Sequence, residues 1–267
     1  FVIKNTNAKC WVCGTSPLKK EKDSSINSEL DSKSFNITDD KYGTTATIYS
    51  CPKCGFLQCS EIDETLSFYK DMEDELYEET RIPRAIQARK LINMLSKYKS
   101  SGRLLDVGAG SGIIVEEAMR ADYEAEGIEP STWLQSKAEM RGLKVVCGSL
   151  PDPKITGLYD VICIIDVLEH VTDPVALLRE AVDLLKDDGI GFLVTPDLNS
   201  FAARTMGWKW WHFRVAHVGY FNLSTLDLAL EKAGAERLHV FRPWWFFPVN
   251  YLWARLGVSD FKVSNSI

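Results

Sequence analysis

The sequence predicts an α/β fold, a parallel sheet with helices on both faces, joined to a small cysteine-rich module at its amino-terminal end. Three observations carry that reading. Five short, largely apolar runs, RLLDVGA, EAEGIEP, KVVCGSL, YDVICIIDV and GIGFLVTP, are separated by helix-length segments, as expected of parallel strands buried on both faces. Two C-x-x-C pairs, CWVCG and CPKCG, stand ahead of all five. A chain of 267 residues, 45% hydrophobic and 25% charged, has room for one large core and one appendage.

Taken in order, residues 1–60 lack long periodic runs, and KKEKDSSINSELDSKS reads as a solvated loop, so this part forms a small loop-rich module. The acidic stretch EIDETLSFYKDMEDELYEE reads as helix and linker. Pro83 suits the first turn of the next helix, where Ala88, Leu91, Ile92, Leu95 and Tyr98 recur at helical spacing. Within the α/β part, Asp173 is an N-cap, Pro174 the first helical residue, and Gly189 the stop of that helix. A later helix starts at Ser224, with an S-x-x-D capping pattern to Asp227, and ends at Gly234; His239 falls in a run read as a strand. The expected division is a cysteine module at 1–60, helical linker at 61–100, α/β domain at 101–243 and aromatic segment at 244–267.

Glycine after each C-x-x-C lets the backbone turn so that amides face the sulfurs, and four thiolates suit tetrahedral zinc. Cys10, Cys13, Cys51 and Cys54 are therefore the expected ligands of a structural Zn2+, since four protein ligands leave no open position. Disulfide or redox use is the weaker alternative. Cys59 is spare, and Cys147 and Cys163, in apolar runs, read as core thiols.

A net charge of -6 and a pI near 5.4 argue against a broad phosphate-tracking surface, so nucleic acid is not the expected partner. No apolar run approaches the roughly 20 residues of a membrane span, and FVIKNTNAKC lacks a signal-peptide core, which predicts a cytoplasmic protein.

The strand LLDV runs into GAGSG, placing Asp106 at a strand end and Gly108, Ala109, Gly110 and Gly112 in a tight loop before a helix. A dinucleotide fingerprint would put glycine at 113, where Ile113 stands. Glu129 ends the next strand, where a carboxylate can accept hydrogen bonds from both hydroxyls of a ribose. With YDVICIIDVLEHVTDP, the DVGAGSG and Glu129 pattern resembles the class I S-adenosylmethionine-dependent methyltransferases, within them the ubiquinone-biosynthesis-like branch, over roughly residues 103–234. The resemblance implies a Rossmann-like methyltransferase sheet and S-adenosyl-L-methionine as cofactor. By the same resemblance, Asp106 and the glycine loop border the methionine end, Glu129 takes the ribose, Ser149 lies near the adenine where many relatives have Asp, and Asp166 faces the cleft.

For the acceptor, the resemblance directs attention to WKWWHFRVAHVGYFN, residues 208–222, within a lid expected at about 199–222 after the fifth strand. His217 is the first candidate for a base and His212 a weaker one; each is also readable as a structural histidine. The tryptophans either stack on a ring or pack the lid. The aromatic tail RPWWFFPVNYLWARLG suits a dimer interface, a cap over the sheet, or contact with a membrane or lipid-linked acceptor. The functional expectation is methyl transfer to a small-molecule or glycan-type acceptor, at a hydroxyl. The rivals are an RNA or protein methyltransferase docked through the zinc module, and a non-catalytic cofactor-binding scaffold.

Overall fold

The computed structural model describes residues 8–38 and 42–242; the expected aromatic segment at 244–267 lies outside the described residues. Strands β1 (Lys19–Lys22), β2 (Ile48–Ser50) and β3 (Leu57–Gln58) come first, followed by helices α1 (Leu66–Lys70), α2 (Glu75–Glu79) and α3 (Arg81–Leu95). The alternating part is β4 (Gly102–Val107), α4 (Ile113–Arg120), β5 (Tyr123–Glu129), α5 (Thr132–Glu139), β6 (Val145–Cys147), β7 (Tyr159–Ile165), α6 (Pro174–Asp183) and β8 (Leu185–Val194). Helix α7 (Phe201–Met206), strand β9 (Gly219–Tyr220) and helix α8 (Leu223–Ala233) follow.

The main sheet has the order β6-β5-β4-β7-β8 and every pairing in it is parallel. Its strands alternate faces as the two-residue period requires. Leu105, Val107, Ile162 and Ile164 pack under α6 and α8, whereas Leu104, Val161 and Cys163 pack under α3 and α4. The chain moves outward from β4 to β5 and β6, then returns to β7. The carboxyl ends of β4 and β7 therefore form the topological switch point, where open α/β sheets build their ligand crevices.

Three readings of the sequence change. The helix expected to run to Gly189 stops at Asp183, because the Leu184 carbonyl accepts from the Tyr159 amide (2.9 Å) and draws the chain into β8. A register shift opposite Tyr159 and Val161 then turns Asp187 and Asp188 outward to solvent. The helix expected at Ser224 is capped by Asn222, whose side chain accepts from the Thr225 amide while the Thr225 hydroxyl accepts from the Asn222 amide. That reciprocal box takes precedence over the Ser224–Asp227 pattern. His239 sits in irregular backbone against Tyr98 and Phe241 rather than in a strand.

A further departure concerns the amino-terminal part. Strands β1, β2 and β3 form an antiparallel sheet whose fourth strand is β9, from the lid region (order β1-β2-β3-β9). Cys10, Val12, Cys51 and Phe56 lie in the same apolar cluster as Val175, Leu178 and Phe221. The cysteine module thus shares a sheet and a core with the α/β part. Among the described residues, no helix is long and apolar enough to cross a membrane.

Candidate functional site

The loop after β4 is shaped by three glycines with positive φ, Gly108 (74°), Gly110 (54°) and Gly112 (78°). L-residues rarely adopt this region, and a side chain would also collide with neighbours. A Cβ on Gly108 would overlap the Val167 side chain, and one on Gly110 would stand 2.7 Å from the Tyr77 hydroxyl. Gly110→Ala is therefore expected to destabilise the fold by roughly 1–2 kcal/mol in urea unfolding.

The loop folds back on the end of β5. The amides of Gly108 and Ala109 both donate to the Ile128 carbonyl, at 2.9 and 3.0 Å. The carboxylate of Glu129 accepts from the Gly110 amide at Oε2 and the Ser131 amide at Oε1, both at 2.8 Å. Burial pushes Glu129 up to about 7, against those two amides, which favour its ionised form. Asp106, at the end of β4, is also buried, and burial followed by the Glu129 charge raises it well above the usual carboxylate range. Ser149, half-buried, follows Gly148, whose amide donates to the Glu129 backbone carbonyl. Asp106, Gly108, Ala109, Gly110, Gly112, Glu129 and Ser149 therefore lie along the carboxyl ends of β4, β5 and β6. The far edge of the loop is fixed by Arg81 of α3, which donates to the Ser111 hydroxyl (2.7 Å) and pairs with Glu116 (2.5 Å).

Asp166 is exposed just beyond β7 with φ 52°, a left-handed conformation unusual for a residue with a side chain. Its amide donates to the Val194 carbonyl, and the next residue, Val167, faces Gly108. From there a 3-10 turn at Leu168–His170 carries Glu169 and His170 inward. Glu169 is 2% exposed and accepts from the Thr195 hydroxyl (2.9 Å) at Oε2, while its Oε1 has no hydrogen-bond partner among the described residues. Burial, then the charge of Asp166, pushes Glu169 up to about 8.

His170 Nδ1 donates to the Ala216 carbonyl (2.8 Å), with the Tyr69 hydroxyl 2.6 Å from the same nitrogen. That contact assigns the Nδ1–H tautomer and leaves the lone pair on Nε2. The His217 ring meets His170 edge-on (4.7 Å) and stacks on His212 (5.4 Å). The His212 backbone hydrogen-bonds the buried His217 ring, whereas Nδ1 of His217 has no hydrogen-bond partner among the described residues. One donor atom each from Glu169, His170 and His217 lie within 4.8 Å of one another. Burial, then the positive charge of Arg214, holds His170 down near 3; burial holds His217 well below its ordinary value. Both rings are consequently neutral.

The aromatic stretch divides its labour. Trp210, Phe213, Val218 and Tyr220 are buried against Ala46, Ile48 and Cys59, so most of its apolar area closes the seam with β2 and β3. Trp208 remains half exposed. Thr195 had no signal in the sequence, because it is an isolated residue whose role arises only when distant elements meet.

The cysteines meet as expected. Cys10 and Cys54 sulfurs are 3.6 Å apart, Cys13 and Cys51 sulfurs 3.4 Å, and all four lie within 4.8 Å of one another. Sulfurs at about 2.3 Å from a tetrahedral zinc stand about 3.8 Å apart, so the set matches that ion. The Cys13 and Cys54 amides point at Cys10 and Cys51 sulfurs, as thiolate-supporting donors do. Burial pushes the Cys10 thiol up to about 11, and a central cation would let such buried sulfurs ionise.

Comparison with known proteins agrees with this geometry. A methyltransferase-domain family matches residues 77–240. The ubiquinone biosynthesis O-methyltransferase of Marinobacter nauticus is 31% identical over 107 residues, 36% of this chain and 45% of that protein. The protein of the same name from Bordetella bronchiseptica is 33% identical over 108 residues, 38% of this chain and 45% of the relative. The chain thus spans less than half the length of these relatives. Among solved structures, an S-adenosylmethionine-dependent methyltransferase of Thermotoga maritima, described as a possible histamine N-methyltransferase, superposes with a TM-score of 0.47 at 21% identity, covering 60% of this chain and 74% of that one. With the family match spanning the whole of the alternating sheet, the chain belongs to the methyltransferase-domain family.

Proposed function

We propose that the protein transfers a methyl group from S-adenosylmethionine to a hydroxyl of a small-molecule or glycan-type acceptor. The observation that carries the hydroxyl reading is the buried Nδ1 of His217, which has no hydrogen-bond partner among the described residues. The cofactor half rests on the glycine loop and Glu129. Both carboxylate oxygens are fixed by backbone amides yet keep lone pairs for the two ribose hydroxyls. Asp106 and the loop amides border the methionine end, Ser149 the adenine side, and Asp166 the mouth of the cleft.

The bound cofactor supplies an electrophilic methyl group on a sulfonium sulfur. The protein's own contribution is to orient the acceptor, exclude water and take up one proton. His217 suits that last task because its ring is neutral, with one nitrogen held by the His212 backbone and the lone pair of the other free among the described residues. The path from the glycine loop to that nitrogen is continuous: Gly108 faces Val167, Glu169 follows two residues later, and Glu169 lies beside His217. His212, stacked on His217, is assigned to holding the ring rather than to proton transfer. The four cysteines are proposed to hold a structural Zn2+, with no role in the chemistry.

His217→Ala is expected to lower turnover by about 10²–10⁴-fold, the usual contribution of a general base, with little change in S-adenosylhomocysteine affinity. A radiolabelled-donor assay against hydroxylated aromatics, nucleotide sugars and glycans supplies the rate. Full activity in the variant would reduce the histidine to a packing role.

A further inference from the structure

We infer that Gln58 and Phe56 are positioning residues through which the metal-binding turns set the acceptor strand β9, and with it His217; this rests on the proposed role of His217. Strand β9 is two residues long and cannot fix itself. Its edge is held by β3, with Leu57 opposite Tyr220 and Gln58 opposite Gly219. Just before it, Val218 is clamped on both sides: its carbonyl accepts from the Cys59 amide (2.8 Å), and its amide donates to the Glu169 carbonyl (2.8 Å). His217 is the residue immediately preceding that clamp.

Each C-x-x-C turn reaches β9 through one buried side chain. Gln58 is fully buried and both polar atoms of its amide group are hydrogen-bonded. Its Oε1 accepts from the Trp11 amide (2.8 Å), and its Nε2 donates to the Lys9 carbonyl (3.1 Å) and the Ser60 hydroxyl (2.9 Å). Lys9 and Trp11 flank Cys10, so the first turn is tied to the strand that pairs with β9. Phe56 serves the second turn. Its carbonyl accepts from the Cys51 amide (2.9 Å), and its ring packs on Phe221 at 4.8 Å. The same ring stands 3.0 Å from where a Cβ on Gly219 would lie, so backbone and ring are in direct contact. A metal that locks the two turns together therefore fixes both supports of β9. The glycine loop is held separately, by the Ile128 carbonyl and Arg81.

The coupling is tested on the full chain with zinc alone, without acceptor. Amide exchange of residues 217–221 and the imidazole proton signal of His217, assigned by its loss in His217→Ala, are recorded in zinc-loaded, chelated, Gln58→Leu and Phe56→Leu proteins. Chelation should raise exchange at 217–221 at least about tenfold and move the His217 signal, while the glycine-loop amides stay protected. Gln58→Leu and Phe56→Leu, still holding zinc, should give the same local pattern in part, and Gln58→Glu, which keeps the acceptor for Trp11, should recover part of it. Unchanged exchange and an unmoved His217 signal on chelation would overturn the inference, even if the Gln58 variant failed to fold. Both readouts are independent of methyl transfer. Absence of S-adenosylhomocysteine binding, by contrast, would remove the proposed function and leave this coupling standing or falling by itself.

Discussion

Glu129→Gln is expected to lower affinity for S-adenosylmethionine about 100-fold while preserving the fold. A charged carboxylate contributes roughly 1.5–3 kcal/mol per hydrogen bond, and two ribose hydroxyls depend on it. Glutamine also presents an NH2 group to one of the two amides, Gly110 or Ser131, that now donate to the carboxylate. Equilibrium dialysis with labelled cofactor measures the loss. The same substitution changes the pH dependence of stability. Glu129 is raised by burial from 4.5 to about 7, so the folded chain binds this proton more tightly than the unfolded chain. Its stabilising contribution is complete below the unfolded value near 4.5 and is lost as the pH climbs through about 7. Across that window the wild type should lose roughly 3 kcal/mol more than the variant, the energy of a shift of two to three pH units, in urea unfolding at pH 5 and pH 8. Parallel pH profiles would show that the carboxylate is not buried as described.

Cys51→Ser is expected to release stoichiometric zinc and to lower the melting temperature by about 10 °C or more. Structural zinc binding is worth about 10–16 kcal/mol in isolated finger peptides. Here part of that energy is expected to appear as stability of the whole chain, because Cys51 and Phe56 belong to the core that packs on Val175, Leu178 and Phe221. A loss of several kcal/mol corresponds to roughly 10–20 °C for a domain of this size. Metal analysis of the wild type should return one zinc per chain. Protein purified without chelator that carries no zinc and melts at the temperature of Cys51→Ser would contradict the assignment.

Much of the α/β half was legible because its signals are local. The DVGAGSG loop, the buried apolar runs and the Asp173–Pro174 helix start are each fixed within a few residues, and the structure keeps them in place. The cysteine set was legible for a similar reason, since two C-x-x-C turns prescribe their own geometry. What the sequence did not disclose is long-range pairing. Strand β9 is two residues long, and nothing in Gly219–Tyr220 announces that Leu57 and Gln58 will pair with it. Thr195 is equally silent: it reaches Glu169 across 26 positions of sequence. The helix stops at Asp183 rather than near the glycine signal at 189 because a sheet hydrogen bond from Tyr159, which exists only in the fold, claims the Leu184 carbonyl. The aromatic stretch is read as an acceptor lid through the family resemblance, with packing as the other reading of its tryptophans. Its buried members close the seam with β2 and β3, and His217 stands beside Glu169 and His170.

Calorimetric titration of the zinc-loaded chain with S-adenosylhomocysteine, the demethylated product of the cofactor, tests the central claim most directly. The glycine loop, Glu129 and Asp106 predict a single site per chain with micromolar or tighter affinity, about -8 kcal/mol. No measurable binding at millimolar ligand by a chain that is folded and carries zinc would contradict it.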